Sequence, residues 1–203
     1  MDKLDFKKLM RPFWSPPRGA FEIVDVPELS FVMIDGRGDP NGEAFQAALG
    51  WLYPVSYGLK FASKAAGRDY GVGPLEGLWW TPDPGRFAEA SRSDWQWTAM
   101  IMQPDWIDAA MFDAAVAKAA AKQRQAAPAT LRLERLKEGL SVQTLHIGAY
   151  RDEAPTIAAM HGEFIPQNGL AETGKHHEIY LSDARRVAPE KLRTILRQPV
   201  RRL

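Results

Sequence analysis

The sequence predicts an α+β fold made of a duplicated β-α-β-β unit with pseudo-two-fold symmetry, an antiparallel sheet with helices on one side, and a central ligand cleft. Two segments carry this reading. "FVMIDGRGDPNGEAFQAAL" and "VQTLHIGAYRDEAPTIAAM" each run as strand, glycine turn with an acid, then amphipathic helix. Each helix leads to a strand that holds an acid, "LEGLWW" in the first half and "HEIYLS" in the second. Neither half has enough strands to bury its helix alone, so both belong to one domain.

Residues 1–20 contain "RPFWSPPRG", too rich in proline for regular structure, and read as an arm; residues 21–203 read as the single domain. Repeat one covers about 29–103, a linking helix about 105–127, and repeat two about 130–203. In the first repeat, "SFVMIDGRGD" is a strand that ends in turn chemistry. Phe45, Ala48, Leu49, Leu52, Val55 and Leu59 follow at helical spacing, with Pro54 predicting a kink. "LEGLWWT" and "DWQWTAMIMQP" are two strands joined by the turn "TPDPGRF". The Ala-rich linking helix has high propensity and a thin apolar stripe, and Pro128 should end it.

In the second repeat, "TLRLERL" and "LSVQTLHIG" read as two strands around the turn "KEG". Asp152 is placed to cap a helix with Ile157, Met160 and Phe164 on one face. "KHHEIYLSD" is the next strand, "APEKLRTIL" a short helix with Pro189 in its first turn, and "QPVRRL" a closing strand.

Composition excludes several functions. Lysine and arginine total 26 against 25 acids, which leaves no global field to draw in nucleic acid or a membrane. The late cluster Arg185, Arg186, Lys191, Arg193, Arg197, Arg201 and Arg202 reads as a solvated helix face and tail. The absence of cysteine rules out disulfides, thiolate catalysis and thiolate zinc sites. No apolar run approaches the ~18 residues of a membrane span, and "MDKLDFKKLMRPFW" has no apolar signal core, so a cytoplasmic location is expected. Walker, GxGxxG and GxSxG signatures are missing, no cofactor is implied, and no helix-turn-helix is visible.

Strand alternation then sorts the unusual residues. His177, Ile179 and Leu181 share one face, expected against the helix; His176, Glu178, Tyr180 and Ser182 share the other. His176 and His177 therefore cannot chelate one ion together, and no metal site is expected. With the duplicated strands side by side, Glu76, Trp80, Trp97, Tyr180 and Glu178 would meet in one cleft, two carboxylates in an aromatic cup. His146 is a further candidate ligand contact, with a structural hydrogen-bonded role as its alternative. Glu76 could instead pair with an arginine at the sheet edge, and Trp79 reads as core. A carboxylate buried in such a cup is costly without a partner, and its raised pKa would suit a proton donor or base.

"GPLEGLWW", "WTAMIMQPDW", "LSVQTLHIGAYRDEAPTIAAM" and above all "HHEIYLSDARRVAPEKLRTILRQPV" resemble the GyrI-like small-molecule-binding family in its standalone subgroup, over nearly the whole chain from about residue 10. That family includes the effector-binding domains of multidrug-sensing transcription activators and a gyrase inhibitor. The resemblance implies a duplicated β-α-β-β fold and an aromatic pocket with a central glutamate, matched here by Glu178, that takes hydrophobic, planar or cationic compounds. It also implies that this chain, lacking the regulators' DNA-binding domain, does not act on DNA directly. Some standalone relatives hydrolyse cyclopropane-bearing DNA-alkylating compounds with pocket glutamates. Three functions follow: a binding protein for xenobiotics or a metabolite, a hydrolase of electrophilic cyclopropane-bearing genotoxins with Glu178 and Glu76 as catalytic acids or bases, and a protein-binding inhibitor module. The sequence leaves the oligomeric state open.

Overall fold

A computed structural model describes residues 3–81 and 94–203. The chain is a mixed α/β protein with antiparallel strand pairing. In order it forms α1 (Phe6–Leu9), α2 (Arg11–Trp14), β1 (Glu22–Arg37), α3 (Glu43–Ala65), β2 (Leu75–Trp80), β3 (Gln96–Gln103), α4 (Ala109–Gln123), β4 (Arg132–Ile147), α5 (Ala154–Ala159), α6 (Ile165–Gln167), β5 (Leu170–Glu172), β6 (His176–Tyr180) and β7 (Arg193–Arg202). A π-helical turn, Met160–Phe164, joins α5 to α6. No helix among the described residues is long and apolar enough to cross a membrane. The turn expected at 81–87 lies, beyond Thr81, outside the described residues.

Two compact units emerge: Met1–Leu9, Leu29–Gly73 and Thr81–Leu136 form one, and Met10–Glu28, Pro74–Trp80 and Lys137–Leu203 the other. In the first, the later part of β1 pairs with β3, Ser30 opposite Gln103 through Arg37 opposite Gln96. The helical spacing read from sequence is the buried face of α3, with Phe45, Ala48, Leu52, Val55 and Leu59 inside and Trp51 added. Pro54 lies within this helix, which runs on across it. The thin stripe of α4 has a packing reason: Ala115 sits where a Cβ on Gly58 of α3 would be 3.5 Å away, so two small residues let the helices approach closely. Asp108 caps α4 by accepting from the Met111 amide at 2.8 Å. The helix ends at Arg124, in the left-handed region at φ 54°, before Pro128 is reached.

In the second unit β6 pairs with β2 on one side and β7 on the other, and β7 also pairs with β4 and β5. Its helical segments pack on Val142, Leu196 and Val200 through Met160 and Ile165. Residues 15–20 are irregular, but the arm also holds α1 and α2, two single turns.

Three sequence expectations change here. The stretch around "KEG" is not a turn: β4 runs unbroken from Arg132 to Ile147, with Gly139 at φ 66° absorbing the irregularity inside the strand. "APEKLRTIL" gives only the 3₁₀ turn Pro189–Lys191, and β7 begins at Arg193, because Thr194, Ile195 and Leu196 are taken into the sheet. Arg197, assigned to a solvated face, is 1% exposed.

Candidate functional site

The second unit places the acids. Residues directly opposite in antiparallel strands point to the same side. Glu178 lies opposite Gly77 on β2 and Leu196 on β7, and Tyr180 opposite Leu75 and Thr194; Thr194 in turn lies opposite His146 on β4. Since Leu196 packs with Met160 and Ile165, this is the helix-covered face. The expectation that His177 and Ile179 meet the helix is therefore inverted. Both faces of β6 are buried, so apolar residues alone do not reveal which one the helix covers.

On the helix-covered face a polar group is assembled. The Tyr180 hydroxyl donates to Glu178 Oε2 at 2.7 Å and accepts from Trp79 Nε1 at 3.1 Å. The Glu178 side chain is 12% exposed. Glu153, which precedes α5, is buried, and its Oε1 has no hydrogen-bond partner. Burial pushes the Glu153 pKa up, the Glu178 charge pushes it further, and the Thr194 hydroxyl draws it partly back. Burial likewise raises Glu178, while the Tyr180 hydrogen bond and the charge on His177 moderate the rise. Burial makes each of these carboxyls hold its proton to higher pH than an isolated one would. The half-exposed ring of Tyr150 meets Tyr180 edge-on at 5.5 Å, and burial raises the Tyr180 phenol well above its usual range.

Glu153 was not singled out from sequence. Asp152 beside it looked like the helix cap, but Asp152 is exposed and Glu153 holds the N-cap position without a side-chain cap bond. An acid in a first helical turn is too ordinary to be a signal, because the helix dipole favours it there. Burial outweighs that small preference at Glu153.

The other predicted residues go elsewhere. Glu76 points to the opposite face of the sheet, where its Oε2 lies 3.0 Å from His177 Nε2. His177 Nδ1 shares a hydrogen bond of 2.9 Å with Glu138 Oε1, and Arg197 donates to Glu138 Oε2 at 2.8 Å and to Gln143. Arg197 also donates to the Phe13 carbonyl, tying the arm to this face. Burial would discharge His177, but Glu138 and Glu76 hold its pKa up at about 9; burial would neutralise Glu138, but His177 and Arg197 hold it down at about 2. Glu76 is thus an internal counter-ion of a buried cluster, and the cup that paired it with Glu178 is corrected by the pleat. The alternative of an arginine partner at the sheet edge gives way to a histidine.

Trp97 lies in the other unit, 1% exposed, edge-on to Phe45 at 4.9 Å and across from Gly36, where a Cβ would overlap its ring. It is a core residue. Trp80 is half-buried under Lys175, whose Nζ sits 3.3 Å from the ring centroid. His146 shares the face of Tyr180, and its Nε2 is buried with no hydrogen-bond partner. Trp79, read as core, is 3% exposed and also donates to Tyr180. Among the described residues no group of three or more His, Asp or Glu is placed to hold a metal ion.

Comparison with known proteins supplies the wider setting. The model of the GyrI-like small molecule binding domain matches residues 20–201. An uncharacterized conserved protein from Listeria innocua is 40% identical, with TM-score 0.90, covering 98% of this chain and 100% of its own. A second Listeria innocua protein, described as a hydrolase, is 39% identical with TM-score 0.84 over the same shares of the two chains. The EcmrR C-terminal domain, 11% identical, has TM-score 0.58 over 91% of this chain and 98% of its own, a likeness of fold. Curated proteins give no match. The chain belongs to the GyrI-like small molecule binding domain family.

Proposed function

We propose that the chain binds hydrophobic, planar or cationic small molecules, xenobiotics among them, with Glu178 as the polar anchor of the site. The observation that carries this reading is Glu178, nearly buried and held by the Tyr180 hydroxyl, which Trp79 and Tyr150 border, with buried Glu153 as a second acid. A cationic ligand would favour the ionised Glu178, its own charge taking the place of the proton. A neutral planar ligand would use the aromatic rings and accept a hydrogen bond from the protonated carboxyl. His146 Nε2, buried on the same face, is a candidate second polar contact. The duplicated, pseudo-symmetric reading of the fold and its cleft belongs to this proposal too. Titration of tryptophan fluorescence with planar cationic and neutral compounds tests it. Saturable quenching that is lost or loses its cation preference in E178Q supports it; unchanged binding by E178Q removes Glu178 from the site.

A second reading has its own support in the 39–40% identity to Listeria innocua proteins described as hydrolases. In it, Glu178 as carboxylate takes a proton from water while the water oxygen bonds to a cyclopropane carbon and a ring C–C bond at that carbon breaks, its electron pair passing to the other carbon as a carbanion or enolate. Glu153, kept protonated by burial, gives its proton to the departing carbanion or enolate. Glu153 takes the role for which the sequence offered Glu76. Mass spectrometry of a cyclopropane-bearing alkylator incubated with the protein decides between the readings. Turnover abolished in E153Q and E178Q but retained in E76Q supports hydrolysis; no turnover by the unaltered protein leaves binding.

A further inference from the structure

The helix-covered face holds a row of groups suited to moving a proton between solvent and the acids. Glu172, on β5, has a side chain 45% exposed. Its Oε1 accepts a hydrogen bond from His161 Nδ1 at 2.7 Å. His161 is 24% exposed in its side chain, and its Nε2 is buried with no hydrogen-bond partner. The His161 ring lies 5.8 Å, centroid to centroid, from the ring of His176. The His176 side chain is 3% exposed, and its Nε2 is 3.7 Å from Glu178 Oε1. Exposure thus falls from Glu172 to His176 as the row approaches the acids. His161 stands in the π turn, where an extra residue per turn re-aims side chains and which in other proteins is often a functional position.

We propose that Glu172, His161 and His176 form a proton path between solvent and the Glu178–Glu153 pair. The path rests on the reading of that pair as the ligand-facing site. Outward transfer moves one proton. Glu178 gives its carboxyl proton to His176 Nε2 as a small side-chain rotation closes the 3.7 Å gap. As the two rings turn toward each other across their 5.8 Å separation, His176 Nδ1 gives its proton to His161 Nε2, and His161 Nδ1 gives its own to the Glu172 carboxylate, which releases it to water. Both imidazoles are neutral before and after, with their tautomers exchanged, and inward transfer reverses each step. Burial, with the charge on His177 beside it, pulls the His176 pKa down to about 3, as suits a ring that relays a proton without storing it. The groups around His176 include Trp79 opposite it on β2, Glu178 two residues along β6, His161 from the π turn, and His177 behind it.

The test needs no ligand. Infrared spectroscopy of protein with ¹³C-labelled glutamate follows the protonated carboxyl band after a rapid pH jump. H161A is expected to slow its relaxation by at least about tenfold, the low side of what a positioned proton carrier contributes. Free imidazole should restore the rate in H161A, where it can occupy the vacated space, and not in H161F, where the ring fills it. A relaxation as fast in H161A and H161F as in the unaltered protein overturns the path, and so does slowing that imidazole leaves uncorrected. E172Q, altered at an exposed side chain, keeps the test available should the His161 variants fail to fold; it should also slow relaxation, and an unchanged rate there counts equally against the path. A carboxyl pair that titrates in the ordinary range in the unaltered protein overturns the site reading and the path with it, whereas a raised titration with an unchanged rate overturns the path alone.

Discussion

The Tyr180 hydroxyl donates to Glu178 at 2.7 Å while it accepts from Trp79 at 3.1 Å, so one phenol holds both the acid and the ring beside it. Tyr180→Phe removes the donor and that acceptor together. The expected cost is about 1–3 kcal/mol of unfolding free energy, the range for stranding a buried polar partner, measured by urea denaturation. The Glu178 titration should also move up, because the hydrogen bond that favoured its charged form is gone.

Glu153 and Glu178 predict a pH dependence with a definite sign. Both pKa values are raised above the ordinary glutamate value of 4.5. Between that value and the raised ones the native state binds more protons than the unfolded state, so the free energy of unfolding falls as pH rises. The contribution is complete below the unfolded pKa and is lost once pH passes the folded values. Glu153→Gln keeps the shape without the charge. Its unfolding free energy should decline less steeply from weakly acid to alkaline pH. Parallel pH–stability curves for E153Q and the unaltered protein would refute this.

Alternation along β6 separated Glu178 and Tyr180 from His177 and Ile179, and the structure keeps that division. The face that receives the helix was not legible. Glu178 is accompanied by His176 on one face, and His177 by Ile179 on the other; the histidines and Ile179 are all buried. A strand covered on both sides loses the contrast from which a period of two takes its direction. Glu76 was misjudged for a related reason. Cross-strand pairing sets it opposite Ile179, and only the register, a tertiary fact, carries that information. Buried Arg197 and Glu138 lie 59 positions apart in the chain, a separation no local pattern spans. The α3 stripe and the two Trp-bearing strands, by contrast, are local, and they stand where their spacing indicated.

The cluster on the far face predicts a severe loss from a single truncation. Glu138 joins His177 at 2.9 Å and Arg197 at 2.8 Å, with side chains 4%, 0% and 1% exposed. Glu138→Ala leaves two buried cations facing Glu76 alone and should cost about 3–5 kcal/mol, the range for a broken buried pair. Its pH signature runs on two limbs. Glu138, depressed to about 2, stabilises above the ordinary glutamate range and loses that contribution as pH falls through about 2. His177, raised to about 9, stabilises below the ordinary histidine value and loses its contribution as pH rises through about 9. Thermal melts across pH should therefore show both limbs in the unaltered protein and flatten in E138A.

Gly77 pairs with Glu178 across β2 and β6, and a Cβ there would stand 2.8 Å from Trp79 Nε1. The neighbour that must yield is the rigid indole that donates to Tyr180. A displaced Trp79 would release the phenol from one of its two partners and leave Glu178 with a less fixed donor. Gly77→Ala is therefore expected to fold at a cost of about 1–3 kcal/mol, typical of overpacking. Its Trp79 emission should change, and it should bind planar ligands more weakly than the unaltered protein. Gly162→Ala is the control, since open space surrounds a Cβ at that helical position. Equal ligand affinity in G77A and G162A would show that Trp79 and Tyr180 need no fixed spacing to hold Glu178 in its working position.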